Sequence, residues 1–376
     1  MRTFIDPEEM KWPEIIRRPH INNADLQNIV YGILKDIKQN GDEAVKKYTA
    51  QFDGAALKDL KINVDEIQEA LLAVEDDLKD AIQLAKENIE KFHRSQIEEV
   101  KKIETSKGVM CWRKSVAIEK VGLYIPGGTA PLFSTLLMLA IPAMLAGCRE
   151  ICICTPASKN GKISPVILYV AHLLGLKNIY KIGGMQAIAA MAYGTQTVPG
   201  VYKIFGPGNQ YVTAAKQIIN SGGIAIDMPA GPSEVAVYAD ETCIPAFVAA
   251  DLLSQAEHGI DSQVLLVASS QLIVDSVEKE INLQLPFLSR KEIIEKALNN
   301  SSFVVMQNID NAFALLNEYA PEHMIIASDN AEVLSEKVIN AGSVFLGHYS
   351  SESAGDYASG TNHTLPTNGF AKAYSG

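Results

Sequence analysis

A chain of 376 residues, 47% of them hydrophobic and 26 of them glycine, is long enough for at least two cores, since single cores rarely grow past roughly 250–300 residues. The formal net charge of -11, with no run of Lys and Arg interleaved with aromatics, argues against a nucleic-acid partner. The opening MRTFIDPEEMKWPEIIRRP sets acids and prolines where a secretory leader needs an uninterrupted apolar run, so the expected location is cytoplasmic.

Helical spacing dominates the first hundred residues. Ile67, Leu71, Val74, Leu78, Ile82, Ala85, Ile89 and Phe92 recur at threes and fours between acids and lysines, which predicts amphipathic helix packed on a larger body. From about Val116 the pattern changes to short apolar runs alternating with helical segments, and glycine or proline marks the junctions. VGLYIPGG, EICICTP, NIYKIGG and VYKIFGPG read as strands, separated by the helical STLLMLAIPAMLAG, SPVILYVAHLLGL and MQAIAAMAYG and followed by NQYVTAAKQIIN. A second round has strands SEVAVYAD, SQVLLVAS, FVVMQN, HMIIAS and SVFLGH. The expected class is α/β: two doubly wound units with parallel sheets and an N-terminal helical region.

Two tempting features have plainer readings. The apolar stretch Pro131–Gly147 contains Ser134, Thr135 and Pro142, is flanked by strand-like segments, and falls short of the roughly 20 residues a membrane span needs. It predicts a buried helix, so no membrane partner is expected. The five cysteines, Cys111, Cys148, Cys152, Cys154 and Cys243, are an odd number in a large chain, which points to reduced thiols. Cys152 and Cys154 alternate within EICICTP, on one face of a strand, and predict core rather than a metal pair.

Ligands of parallel sheets bind beyond the carboxyl ends of the strands, so the loops IPGGTAP, KIGGMQA, FGPGNQY and MPAGPSE draw attention. FGPGNQYVTAAK and YIPGGTAP could bring backbone N–H groups to a dinucleotide pyrophosphate. Neither is a full G-x-G-x-x-G, and no acid about 20 residues later offers itself as a ribose partner, so a structural turn is an equal reading.

Of seven histidines, His20, His93 and His348 lack partners at metal-site spacing, and His172 lies on an apolar helix. His258 follows Gln255 by three on a helix expected to end at Gly259, a geometry able to hold a metal. Glu322 and His323 are adjacent in YAPEHMIIAS, two groups able to move protons near neutral pH. The polar run SSESAGDYASGTNHTLPTNG carries Asp356 and His363, and loops of that length in a compact protein are functional or disordered.

Taken together, VGLYIPGGTAPLFSTLLMLAIPA, GGMQAIAAMAYGT, KIFGPGNQYVTAAK, IDMPAGPSEV, LLSQAEHG, APEH and SAGDYASGTNHTLPT, in this order, resemble the signature blocks of L-histidinol dehydrogenases. The resemblance implies oxidation of L-histidinol to L-histidine, the final step of histidine biosynthesis, through bound L-histidinaldehyde with two NAD. It implies zinc held by Gln255, His258 and Asp356, and substrate contacts from these residues and from Ser233, His323 and His363. Glu322 and His323 match the family's catalytic pair, and Tyr124, Gln186 and Asn209 its NAD contacts.

The same resemblance makes the α/β units incomplete Rossmann-like domains. It implies an N-terminal arm over 1–20, a main domain of 21–120 plus 231–376, and a nucleotide-binding domain, 121–230, inserted between them. It also implies a homodimer with shared active sites. Family members continue for several dozen residues past GFAKAYSG and carry a further Glu and zinc-ligating His there, so impaired activity is the expectation for a chain that stops at Gly376. The alternatives are an NAD-dependent dehydrogenase for another alcohol or aldehyde, and a zinc-poor binding protein that keeps only the fold. No cysteine sits in a nucleophile context, which disfavours thiohemiacetal chemistry.

Overall fold

The computed structural model describes residues 1–19, 24–127, 132–228 and 231–374. It divides into two compact units, one of 23–227 with 356–363, the other of 1–22 with 228–355 and 364–376.

The first unit is built on a five-stranded parallel sheet, in spatial order Ile179–Lys181, Glu150–Thr155, Lys120–Tyr124, Lys203–Phe205 and Ala225–Ile226. The chain starts at the centre, moves outward for two strands, and then returns to the other side of the first. That reversal puts a topological switch point between Lys120–Tyr124 and Lys203–Phe205. Side-chain alternation then assigns the faces. Ile151 and Ile153 join one core with the helix Phe133–Ala146, while Cys152 and Cys154 join the opposite core with the helices Gly184–Tyr193 and Gln210–Ser221. Both thiols are thus core, as their spacing predicts.

The N-terminal helices group with this sheet, where the expectation placed 21–120 with 231–376. The reason is burial. Val30, Leu34 and Ile37 of Ala24–Asn40 close one face of the sheet, and Ile82, Ala85 and Ile89 of Asp76–Arg94 close the other. The apolar series read across Ile67–Phe92 is also two helices, Val64–Ala73 and Asp76–Arg94, because Val74 turns extended at ψ 127°. A hairpin of Lys102–Ser106 and Val109–Trp112 was not among the expected strands, although Gly108 and the apolar VMCW mark it; both strands are exposed.

The helix Phe133–Ala146 buries Ser134 through Ile141 in the core, as predicted for the apolar stretch. Among the described residues, no helix is long and apolar enough to cross a membrane.

The second unit holds a six-stranded parallel sheet, Arg2–Ile5, Ser302–Val305, Gln263–Ala268, Glu234–Ala239, His323–Ala327 and Ser343–Leu346 in spatial order. Central strands such as Gln263–Ala268 are buried along their whole length, the pattern of a parallel sheet covered on both faces. The first residues of the chain, expected as a separate arm, form its edge strand, with Arg2 opposite Ser302. Further along the chain, Arg18 makes a bidentate pair with the buried Glu234, Nη2 to Oε2 at 2.8 Å, and lies over the Tyr319 ring.

Candidate functional site

In the second unit the strand His323–Ala327 begins at the carboxyl side of its loop, so Glu322 and His323 enter the unit together and both are buried. The helix Pro245–Ala256 delivers Gln255, also fully buried. The helix stops at Ala256 rather than Gly259, and His258 sits two residues past its end, on an exposed turn. The pairing survives this shift: Gln255 Nε2 and His258 Nδ1 are 3.3 Å apart.

The amide of Gln255 therefore bridges two imidazoles. Its Oε1 lies 3.0 Å from His323 Nδ1, and an amide oxygen only accepts, so Nδ1 carries the proton and Nε2 is the basic nitrogen of His323. Ser233 Oγ lies 3.3 Å from His258 Nδ1. Glu322 Oε2 accepts the Glu234 backbone N–H at 3.0 Å and stands 3.8 Å from His323 Nδ1. Five predicted residues, Ser233, Gln255, His258, Glu322 and His323, are so brought into one connected cluster.

Two acids of this unit were missed. Glu352 is buried, accepts from Ser254 Oγ at 3.1 Å, and places a carboxylate oxygen within 4.8 Å of a His258 ring nitrogen. It precedes Asp356 by four in the helix Glu352–Tyr357, a spacing that could have flagged it, but its run of serines reads as solvated loop. Asp251, one turn before Gln255, accepts the Glu352 backbone N–H, and burial pushes its carboxyl up to about 7.

Asp356 and His363 belong to the stretch grouped with the first unit. His363 Nδ1 lies 2.9 Å from the Asp356 carbonyl oxygen and its Nε2 2.8 Å from Thr135 Oγ1, so the ring is held at both nitrogens and anchors the polar segment to the buried helix Phe133–Ala146. Asn362 Nδ2 adds a bond to the Met138 carbonyl at 2.9 Å.

The first unit has its own cavity, about 960 Å³, at the carboxyl ends of its strands. Tyr124, Gln186 and Asn209 all line it, together with Asp53, Thr155 and Lys162. Tyr124 Oη accepts the Gly184 N–H at 3.0 Å, and burial pushes its phenol up, so it stays protonated. Gln186 is fully buried, donates through Nε2 to Asp53 Oδ2 at 3.1 Å, and leaves Oε1 without a partner among the described residues. Asn209 caps the helix Gln210–Ser221, accepting from the N–H groups of Tyr211 and Val212 at 3.0 and 3.2 Å.

FGPG owes its form to close approach. Gly206 has φ +130°, and a Cβ there would fall 2.1 Å from the Tyr124 carbonyl oxygen. Its N–H is held by Asp227 Oδ2 at 2.8 Å and its carbonyl by Lys216 Nζ at 2.9 Å, and Lys216 and Asp227 form a buried ion pair. A cavity with an orphaned buried acceptor and a helix N-terminus fits a polar ligand such as a dinucleotide. Asp53 was missed because it lies far in sequence from the glycine-rich loops IPGGTAP, KIGGMQA and FGPGNQY.

A sequence model of the histidinol dehydrogenase family matches residues 16–376. The chain belongs to the histidinol dehydrogenase family. That makes it an NAD-dependent oxidoreductase. A histidinol dehydrogenase of Bacteroides thetaiotaomicron is 58% identical over 376 residues, covering 100% of this chain and 88% of the relative. One of Xanthomonas oryzae pv. oryzae is 50% identical over 354 residues, covering 94% of this chain and 82% of its own length.

The crystal structure of histidinol dehydrogenase from Elizabethkingia anophelis superposes with a TM-score of 0.98 at 56% identity, covering 100% of this chain and 87% of that one. An acetylating aldehyde dehydrogenase from Geobacillus thermoglucosidasius, at 13% identity and a TM-score of 0.50 over 96% of this chain and 89% of that one, shares the fold alone. The parallel α/β architecture expected from the sequence is thereby shown.

Proposed function

We propose that this chain oxidises L-histidinol to L-histidine, the last step of histidine biosynthesis, with zinc at the cluster and with two NAD consumed in turn. The observation that carries the reading is the Gln255 amide linking His258 to His323, beside the buried Glu322. It sets a metal-type imidazole and a proton-accepting imidazole on one rigid support.

The donor set fits zinc: the His258 imidazole, the Gln255 amide oxygen, which has a second lone pair beyond the one given to His323, and the Asp356 carboxylate. Support for Asp356 comes from the family resemblance. Bound zinc would hold the substrate and polarise its oxygen, and NAD would accept a hydride in each oxidation.

His323 Nε2 takes the hydroxyl proton of histidinol as hydride leaves the carbinol carbon. Release of that proton lets the residue act again. Glu322, fixed by the Glu234 N–H, orients the water that adds to the aldehyde and takes its proton, which gives the hydrate as its anion. The hydrate anion loses the second hydride to give the acid, which ionises to the carboxylate, so one alcohol, one water and two NAD yield one carboxylate, two reduced cofactors and the protons released at His323, at Glu322 and from the acid. Ser233 and His363 are proposed substrate contacts. Tyr124, Gln186 and Asn209 are proposed to bind NAD. The working form is proposed to be a cytoplasmic homodimer with shared sites, built from the expected arm, main domain and nucleotide-binding domain as redrawn above.

The test is NADH formation on L-histidinol with zinc present, and on simple alcohols as controls. Two NADH per histidine formed, lost on chelation and restored by zinc, is the expected result. Turnover of simple alcohols in preference to histidinol would refute the substrate assignment.

A further inference from the structure

Rossmann-type sites bind the adenosine ribose through an acid at the end of the second strand of the unit. Here that strand is Glu150–Thr155, and the residues that follow are Pro156, Ala157 and Ser158, none of them acidic. The charge reaches this place from elsewhere. Asp53 ends the helix Asp42–Phe52, lines the cavity, and accepts through Oδ2 from the Gly183 N–H at 3.3 Å and Gln186 Nε2 at 3.1 Å. A Cβ built on Gly183 would lie 2.6 Å from Pro156 Cβ and 2.9 Å from Asp53 Oδ1, so Pro156 and the carboxylate flank one point.

We propose that Asp53 is the specificity-determining residue of the nucleotide site, binding the adenosine ribose hydroxyls and rejecting a dinucleotide with a 2′-phosphate. This rests on the reading that NAD occupies the cavity. Both acceptor bonds onto Asp53 fall on Oδ2, which leaves Oδ1 as the oxygen to receive a hydroxyl. The described cavity wall offers a 2′-phosphate little counter-charge. Lys162 is the one cation among the described lining residues, and its Nζ is taken by Glu69 Oε2 at 2.7 Å. A phosphate would therefore meet a fixed carboxylate, while a pair of hydroxyls meets an acceptor held in place by two donors.

The experiment measures NAD and NADP affinity by calorimetry on the full chain, Asp53→Asn and Ser164→Trp, the last filling the cavity. The unaltered chain is expected to bind NAD much more tightly than NADP. It should also lose roughly tenfold or more on nicotinamide 2′-deoxyadenosine dinucleotide, the worth of a hydrogen bond to a charged group. Asp53→Asn should weaken NAD but not NADP, shifting the ratio by roughly tenfold. A purely structural tether would weaken both alike, and that result overturns the proposal, as does an unchanged pair of affinities. If Ser164→Trp leaves NAD binding intact, the cavity reading itself fails. Should Asp53→Asn not fold, the unaltered chain still decides: equal affinity for NAD, NADP and the 2′-deoxy analogue overturns the assignment.

Discussion

The oxygen of the Gln255 side chain accepts the Nδ1 proton of His323 at 3.0 Å, and so sets which nitrogen of the buried imidazole is basic. Gln255→Glu replaces that neutral acceptor with a carboxylate, which favours the imidazolium. With zinc saturating, the acid limb of the kcat/KM profile should move to higher pH, and histidinol oxidation near neutrality should fall. A limb that stays in place would show that His323 is not the base whose titration is seen.

Glu322 and His323 are neighbours in sequence, and the roles proposed for them differ, since in the proposed reaction only the aldehyde half-reaction needs an attacking water. Glu322→Gln is expected to slow acid formation from histidinaldehyde by about 10²–10⁴, the usual range for a general base, and alcohol oxidation much less. His323→Asn should slow alcohol oxidation at least as severely. Single-turnover NADH formation from each substrate measures both. Equal losses in the two half-reactions for both variants would contradict the division of roles.

Asp251 gives a pH signature in stability. Burial raises its carboxyl from 3.8 to about 7, so the folded protein holds a proton that the unfolded chain has released across that interval. Its contribution is complete below the unfolded value and is lost as pH rises through about 7. Denaturant titrations should show stability falling between those limits from this group. In Asp251→Asn that component of the slope should disappear, and above pH 7 the variant should be the more stable of the two. A slope identical to the parent's would mean that Asp251 ionises normally.

Much of this was legible beforehand, and the reasons are local. Period-two alternation in EICICTP placed Cys152 and Cys154 in the core, and glycine and proline punctuation separated the strands. What escaped was tertiary. Arg2–Ile5 is a strand because Ser302–Val305 offers it an edge, and nothing in RTFI alone declares that. The helices before Lys120 look generically amphipathic, so their allegiance to the first sheet appears only when Val30 and Ile89 find their cores. Asp53 and Glu352 gain meaning from neighbours more than ninety residues away in sequence, Gln186 and Ser254 respectively.

Beneath the proposed catalytic cluster lies the pair Arg18–Glu234, with side-chain exposures of 17% and 2%. Burial pushes the Glu234 carboxyl up, and Arg18 together with the Asn368 N–H, at 2.8 Å from Oε1, works against that shift. The backbone of Glu234 is also the donor that fixes Glu322. Arg18→Met strands the acid in the core, where breaking a buried pair costs about 3–5 kcal/mol. At roughly 2–4 °C per kcal/mol for a unit of this size, the melting transition should drop by roughly 6–20 °C. Adding Glu234→Gln to Arg18→Met removes the uncompensated charge and should restore a large part of the loss, because replacing both partners is far less costly than removing one. Differential scanning calorimetry of the two singles and the double closes the cycle. If Arg18→Met melts with the parent, or the double is no better than Arg18→Met, the pair does not hold the floor of the site. At a temperature where Arg18→Met is still folded, its kcat for histidinaldehyde should fall more than its KM rises, since what it loosens is the support of Glu322 rather than a substrate contact.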